Sequence, residues 1–181
     1  MMLEVDLAGT DVLMVIASQN FRDEEFREPA EALAHAKAGV DVASSSTAQS
    51  TGMLGCKVQP DLLLSDADVK KYDAVLFVGG SGASEYFKDP TAHRLAKDAV
   101  DQGKLVGAIC IAPSTLANAG LLKGKKATCF ASERGNLEAK GAKLVDEGVV
   151  RDGQLITADG PESAHAFAQV VVEALAEGKR E

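Results

Sequence analysis

The sequence has few cysteines and few histidines, and this scarcity excludes several kinds of site. Its 181 residues include three cysteines, Cys56, Cys110 and Cys129, and three histidines. The cysteines are odd in number and match neither a CxxC motif nor a Cys/His ligand spacing. The sequence therefore indicates neither a disulfide framework nor a zinc site, and we expect no bound metal.

The sequence also lacks a long apolar run and an excess of basic residues. No stretch approaches the length of a membrane span, and the N-terminus has no positively charged region followed by an apolar one and a cleavage site. We therefore expect a cytoplasmic protein with no membrane partner. The formal net charge of −8 and the isoelectric point near 4.9 argue against a nucleic-acid partner, because proteins that bind phosphate backbones normally present a basic face.

What the sequence does contain is an alternation of short apolar runs and helical segments. With 46% hydrophobic residues the chain can form one well-packed domain over 1–181, and no linker or repeat divides it. The alternation predicts a mainly parallel sheet with helices on both faces. Predicted strands lie at 11–17, 40–43, 74–78, from 105, and at 126–130; predicted helices lie at 24–38 (Asp23 as N-cap, Gly39 as stop), 90–102, 112–119 and 161–177; 44–55 is a loop, and 143–158 contains hairpin pieces.

The segment 105–114 predicts a buried strand that runs directly into a helix, with Cys110 at the corner. Such an elbow strains the backbone of its apex residue, and the free N–H groups at the start of the helix favour a thiolate beside them. Gly107 removes bulk before the turn, and Pro113 suits the first helical turn. Cys110 is therefore a candidate nucleophile; the alternative is a small buried apolar residue.

Two other features follow strands whose carboxyl ends meet Cys110 at one edge of the predicted sheet. The run 79–82 (GGSG) follows the strand at 74–78, and Glu24 and Glu25 open the helix after the first strand. Ligands of such sheets bind in the crevice beyond these strand ends. Glycines there let backbone N–H groups point into the crevice, as an oxyanion hole requires. The alternatives are a simple turn for the glycines and a solvated first helical turn for the acids.

Several segments, in this order along the chain, resemble the ThiJ/PfpI superfamily. They are 77–80 (FVGG), 108–113 (AICIAP), 121–128 (LLKGKKAT), 152–158 (DGQLITA) and 160–161 (GP), and the resemblance covers nearly the whole chain. It implies a flavodoxin-like three-layer α/β sandwich, similar to class I glutamine amidotransferases. It also implies a homodimer or higher homo-oligomer and no cofactor.

The resemblance further implies roles for individual residues. The family's reactive cysteine sits on the elbow that matches Cys110, and a glutamate early in the first helix contacts its sulfur. The register set by Pro29 places Glu25, rather than Glu24, at that position. Two anions so close in a partly dry crevice repel, so we expect Glu25 to be protonated and to donate a hydrogen bond when Cys110 is a thiolate.

The chain departs from the superfamily at its histidines. Many peptidase-like members carry a histidine directly after the cysteine, where this chain has Ile111, and this departure weakens a peptidase interpretation. In the deglycase-like branch a histidine lies on the strand after the elbow helix, where this chain has Phe130. His165, which follows the segment 160–161, is the histidine kept as a candidate. Together with Gly79 and Phe130, it is a candidate pocket residue.

Three functions are open at this stage. The predicted one is a cofactor-free, glyoxalase-III-like or deglycase-like enzyme acting on small aldehydes or glycated substrates. In it the Cys110 thiolate adds to the carbonyl, Glu25 shuttles protons, and backbone N–H groups of Gly80 and Ile111 stabilise the oxyanion. The first alternative is a redox-sensing stress protein or chaperone that acts through oxidation of Cys110. The second is an intracellular cysteine peptidase.

Overall fold

The structure is a computed structural model that describes residues 4–180. In chain order its strands are β1 (Asp11–Val15), β2 (Gly39–Ser44), β3 (Ser50–Thr51), β4 (Lys57–Val58), β5 (Leu62–Leu63), β6 (Ala74–Phe77), β7 (Leu105–Ile109), β8 (Lys126–Ala127), β9 (Lys143–Leu144), β10 (Val149–Asp152) and β11 (Leu155–Ala158). Its α-helices are α1 (Asp23–His35), α2 (Pro90–Asp101), α3 (Pro113–Asn118), α4 (Arg134–Ala139) and α5 (Ala164–Arg180).

Seven strands form one sheet in the order β10-β11-β7-β6-β1-β2-β5. Every neighbouring pair is parallel except β10 and β11, which form an antiparallel hairpin that turns at Gly153. The central strands are continuous apolar runs, as expected for parallel strands that are covered on both faces. The prediction of a mainly parallel, flavodoxin-like α/β sandwich is confirmed.

Alternate residues of the central strands pack into two apolar layers on opposite faces of the sheet. Val12 and Met14 of β1 belong to a cluster that includes side chains of α1 and α5. Leu13 and Val15 belong to a second cluster, with side chains of α2, α3 and α4. This alternation follows from the period of two along a strand. The three layers bring the carboxyl ends of β1, β6, β7 and β11 together at one edge.

The predicted strand at 126–130 is shorter than expected and lies outside the main sheet, which corrects its placement there. Its observed part, β8, pairs in parallel with β9 in a separate two-stranded sheet. Strand β11 already has β7 on one side and β10 on the other, so it has no free edge for β8. Side chains bridge the gap instead, since Asp152 accepts from the N–H of Lys126 at 2.9 Å and Thr157 accepts from the N–H of Thr128 at 2.9 Å.

The ends of α1 also differ from the prediction. Asp23 is the first residue of the helix rather than its N-cap, and its buried carboxylate accepts hydrogen bonds from the N–H groups of Leu54 and Cys56 at 2.9 and 2.7 Å. It therefore holds the turn between β3 and β4 against the helix. At the other end the helix stops at His35, Lys37 adopts the left-handed region with φ 71°, and the predicted stop Gly39 begins β2 instead.

Candidate active site

Cys110 lies at the corner between β7 and α3, and its backbone is strained. Its φ of 67° places a non-glycine residue in the left-handed region, which is uncommon and concentrates at functional positions. Two backbone hydrogen bonds hold it there: its N–H donates to Ala158 O at 2.9 Å, and its carbonyl accepts from the N–H of Phe130 at 2.8 Å. The residue is only 7% exposed.

Glu25, the third residue of α1, is fully buried beside this cysteine. Gly79 lies between the two side chains, because a Cβ at that position would collide with Glu25 Oε1 and lie 2.6 Å from Cys110 Cβ. The carboxyl group lies against the thiol and the backbone of Gly79. Even so, neither carboxyl oxygen has a well-formed hydrogen bond to any described residue. A buried carboxyl without such partners is costly in its charged form.

The ionisation of the two groups is coupled. Burial raises the pKa of Glu25 to about 8, against smaller lowering effects of the Cys110 side chain and the Arg22 charge. Burial, followed by the negative charge of an ionised Glu25, raises the pKa of Cys110 to about 12. At pH 7 Glu25 is therefore mostly protonated, and its charge no longer opposes ionisation of the thiol. Ionisation of either group therefore opposes ionisation of the other.

Two backbone N–H groups lie beside the sulfur. Those of Gly80 and Ile111 lower the pKa of Cys110, as hydrogen bonds to a thiolate do. Gly80 adopts φ 103° and packs so closely against the 20–22 segment that a Cβ would collide with Arg22 N and lie 2.6 Å from Asn20 O. Only glycine fits this turn. The structure thus brings Cys110, Glu25, Gly79, Gly80 and Ile111 together at the carboxyl edge of the sheet.

A cleft of about 450 Å³ opens beside the elbow. Its walls include Phe130, an exposed aromatic ring that packs beside Gly160, and an ion pair in which Arg22 Nη2 lies 2.9 Å from Glu24 Oε2. A cavity of about 470 Å³ at the opposite, amino-terminal edge of the sheet contains none of the predicted site residues. Neither Cys110 nor Glu25 lines the cleft of about 450 Å³, which adjoins the elbow through Phe130, whose N–H donates to Cys110 O. Of the two spaces, it is the one that contains a predicted site residue and lies at the carboxyl edge of the sheet, where ligands of such sheets bind.

His165 lies outside this cleft, contrary to its candidate role in the pocket. Its side chain is 71% exposed at the start of α5, where Nδ1 lies 3.2 Å from Glu28 Oε2. Neither of the other histidines lines the cleft: His93 Nε2 contacts Phe87 O at 2.8 Å, and His35 is exposed. Each of the three histidines therefore has contacts other than Cys110 and lies outside the cleft lining.

The remaining cysteines differ from Cys110 in position. Cys129 is buried on the opposite face of the sheet, and burial raises its pKa to about 11. Cys56 is half-buried in the turn that Asp23 holds. Within residues 4–180 no group of three or more histidine, cysteine, aspartate or glutamate side chains is arranged to hold a metal, and no helix there is long and apolar enough to cross a membrane.

Three polar residues around the site have contacts that the sequence does not predict. Asp23 was expected to cap its own helix, yet it binds the β3–β4 turn. Ser114 and Glu133 form a 2.6 Å hydrogen bond that joins α3 to the segment after Phe130. Their partners lie about 20 or more residues away in the chain, and no local pattern signals such long-range pairs.

The fold and the site together define a class of elbow-cysteine α/β proteins. In this class a mainly parallel sheet carries a cysteine at a strand-to-helix elbow, with a buried acid from the first helix beside it. Residues 10–174 match the family model described as the DJ-1/PfpI family. The chain belongs to this family, as its resemblance to the ThiJ/PfpI superfamily predicts.

Individual relatives agree with this assignment. The chain is 40% identical over 173 residues to the uncharacterized protein MJ0967 of Methanocaldococcus jannaschii, covering 94% of this chain and 84% of that protein. It is 34% identical over 133 residues to the glutathione-independent glyoxalase DJR-1.2 of Caenorhabditis elegans, covering 74% and 71% of the two chains. The crystal structure of a ThiJ/PfpI domain protein from Brachyspira murdochii superposes with a TM-score of 0.89 at 34% identity, covering 91% and 95%.

Proposed function

We propose that this protein is a cofactor-free, cysteine-dependent enzyme that acts on small reactive aldehydes, with Cys110 as nucleophile. The observation that carries the proposal is the strained Cys110 held against a fully buried Glu25 that lacks well-formed hydrogen bonds. Strain and a buried acid are both costly, and they concentrate where they serve a reaction. The relative named as a glyoxalase in Caenorhabditis elegans supports the same substrate class.

The first step is addition of sulfur to the aldehyde. The Cys110 thiol loses its proton to solvent water, the S–C bond forms, and the carbonyl electron pair moves onto oxygen. The N–H groups of Gly80 and Ile111, which already lie beside the sulfur, stabilise that oxyanion. Protonated Glu25 then supplies the proton that turns it into a hydroxyl.

For an α-oxoaldehyde such as methylglyoxal, the later steps need only proton transfers and water. The Glu25 carboxylate removes the proton from the carbon bound to sulfur and returns it to the neighbouring carbon of the resulting enediolate. The remaining hydroxyl proton moves to the neighbouring oxygen, which leaves a thioester. Water then cleaves the S–C bond, releases a 2-hydroxy acid and restores the thiol. The aldehyde carbon is oxidised and the neighbouring carbon is reduced, so no external oxidant takes part. A carboxyl with a pKa of about 8 can act in both directions near neutral pH.

One alternative, a redox-sensing role, has support of its own. Oxidation of Cys110 by peroxide to a sulfinate would place oxygens beside the N–H groups of Gly80 and Ile111, and a protonated Glu25 could donate to one of them. The peptidase alternative is less favoured, because Ile111 follows the cysteine and no histidine lines the cleft to protonate a leaving amine.

The test is lactate formation from methylglyoxal by freshly reduced protein. We expect turnover by the wild type, loss of at least about a hundredfold in Cys110→Ser and Glu25→Gln, and little change in Cys56→Ser as the matched thiol control. Unstructured peptides incubated with the same variants should not be cleaved. Cys110-dependent peptide cleavage without aldehyde turnover would favour the peptidase, whereas the absence of both activities would favour the redox role.

A further inference from the structure

A ring of hydrogen bonds joins the two segments that flank Cys110. On one side Phe130 donates its N–H to Cys110 O at 2.8 Å, and its carbonyl accepts from the N–H of Glu133 at 2.9 Å. On the other side Ser114, in the first turn of α3, donates its N–H to Ile111 O at 3.1 Å. The ring is closed by Ser114 Oγ, which donates to Glu133 Oε1 at 2.6 Å.

The closing contact is built into the protein rather than formed at its surface. Ser114 is fully buried, although serine is usually exposed. Its Oγ also accepts from Asn136 Nδ2 at 3.1 Å, and the same Nδ2 donates to Asn118 Oδ1 at 3.0 Å. A hydrogen bond from a buried hydroxyl to a carboxylate is short and strong. Ser114 therefore fixes Glu133 relative to the elbow helix.

We propose that the hydrogen bond between Ser114 and Glu133, here called the latch, positions Phe130 as the wall of the cleft and so limits the size of molecules that reach Cys110. The Phe130 ring lines the cleft, whereas Cys110 does not, so the ring stands between the open cleft and the elbow. The ring is 43% exposed and has little packing of its own to hold it. Its backbone is held by Cys110 on one side and by Glu133 on the other. Ser114 and Glu133 are positioning residues, since neither lines the cleft.

The first test measures access to the sulfur and needs no turnover. In a Cys56→Ser background, the rate of Cys110 modification is measured with small iodoacetamide and with bulky N-phenylmaleimide, and the modified residue is identified by mass spectrometry. We expect Ser114→Ala and Glu133→Ala each to raise the ratio of the bulky to the small rate by about fivefold or more, because the freed wall opens the cleft. The double variant should show no larger effect than either single one.

Two variants serve as controls. Glu133→Gln keeps an acceptor oxygen for Ser114 Oγ and should restore the wild-type ratio to within about twofold. Ser132→Ala removes the exposed 2.8 Å hydrogen bond to the other carboxylate oxygen of Glu133 and should leave the ratio unchanged. An unchanged ratio in Ser114→Ala and Glu133→Ala, with only lower thermal stability, would overturn the proposal. If Ser114→Ala does not fold, the half-buried Glu133 variants decide the question.

The second test rests on the function proposed above and separates the two proposals. For methylglyoxal we expect latch variants to raise KM several-fold while kcat changes by less than about twofold, since the reacting groups remain in place. Absence of turnover in the wild type would count against the aldehyde enzyme alone, because the reagent ratio still reports the latch. Equal loss in kcat and kcat/KM would show that Ser114 and Glu133 act on the reacting groups rather than on the wall.

Discussion

At the scale of single residues, the chemistry of the site depends on the coupled ionisation of two buried groups, the Glu25 carboxyl and the Cys110 thiol. Glu25 and Cys110 are both buried, and burial is the main cause of the raised pKa of each group. Ionising both would place two negative charges side by side, so the pair titrates as a unit. Near pH 7, a Cys110 thiolate is therefore favoured beside a Glu25 that keeps its proton, and that carboxyl is the proton donor in the proposed addition.

Glu25 should also make the stability of the protein depend on pH. Its pKa is about 8 when folded and near 4.5 ordinarily, so the folded state holds the proton more tightly. The contribution of Glu25 to the free energy of unfolding is fully present below about pH 4.5. It is lost as pH rises towards 8, at up to about 1.4 kcal/mol per pH unit. Because glutamine cannot ionise, Glu25→Gln should remove most of the decline in the free energy of unfolding between pH 5 and 8.

Urea unfolding at several pH values measures this effect, and Glu24→Gln is the matched control. Glu24 is paired with Arg22, and this pairing lowers the pKa of Glu24. The contribution of Glu24 to the free energy of unfolding is therefore lost only as pH falls below the ordinary carboxylate range. Glu24→Gln should therefore leave the slope between pH 5 and 8 unchanged. If Glu25→Gln and the wild type declined in parallel, Glu25 would be ionised in the folded state and could not donate a proton.

At the scale of elements, the site is made by turns at the ends of neighbouring strands. The turn after β6 supplies Gly79 and Gly80, the turn after β7 supplies Cys110, and α1 delivers Glu25 between them. Residues from these separate elements meet because parallel strands end at one edge. The close approach of α1 to the turn after β7 depends on the missing side chain at Gly79.

Gly79→Ala tests this arrangement. An added methyl group would collide with the Glu25 carboxyl and lie 2.6 Å from both Cys110 Cβ and Ile109 O, so Glu25 must move away from the sulfur. We expect destabilisation of about 1–3 kcal/mol and a change of about tenfold or more in the rate of Cys110 alkylation at pH 7. Ser81→Ala, at an exposed position in the same turn, should change neither quantity. Unaltered alkylation in Gly79→Ala would mean that Glu25 does not control the thiol.

The central elements were predictable from sequence, and the reasons are physical. Strands β1, β6 and β7 are apolar runs buried on both faces, and this pattern is local. Strands β3, β4 and β5 have two residues each, too few to show a period. The predicted placement of β8 in the main sheet was wrong because β11 has β10 on one side and β7 on the other. This pairing is a property of the topology and leaves no local pattern in the sequence.

The candidate site was predictable to a similar extent. The strand-to-helix pattern predicts the position of Cys110. The family resemblance implies a glutamate in the first helix, and the register set by Pro29 identifies it as Glu25. The structure then sets these two side chains on either side of Gly79. The partners of Asp23 and of Ser114 could not be predicted, since Asp23 binds residues 31 and 33 positions away and Ser114 one 19 positions away.

At the scale of the whole molecule, both helical layers pack against the strand that carries Cys110. Strand β7 carries Cys110 at its end and lies between β6 and β11, with α5 against one face and α2 and α3 against the other. Gly107, in the middle of β7, lets α5 approach closely, because a Cβ there would lie 2.8 Å from Leu76 Cδ2 and 2.9 Å from Phe167 Cζ. The position is fully packed and has no room for a methyl group.

Gly107→Ala should therefore destabilise the whole protein, by about 1–3 kcal/mol, because the overpacked methyl group separates α5 from the sheet. Gly135→Ala is the matched control, since Gly135 lies in α4 with no atom within 4 Å of an added Cβ. It should stabilise the protein by about 0.5–1 kcal/mol, because alanine loses less conformational entropy in a helix. Denaturant unfolding measures both free energies. Equal and small effects of the two substitutions would mean that α5 does not pack on β7 at Gly107, and the layered arrangement that supports the elbow would need revision.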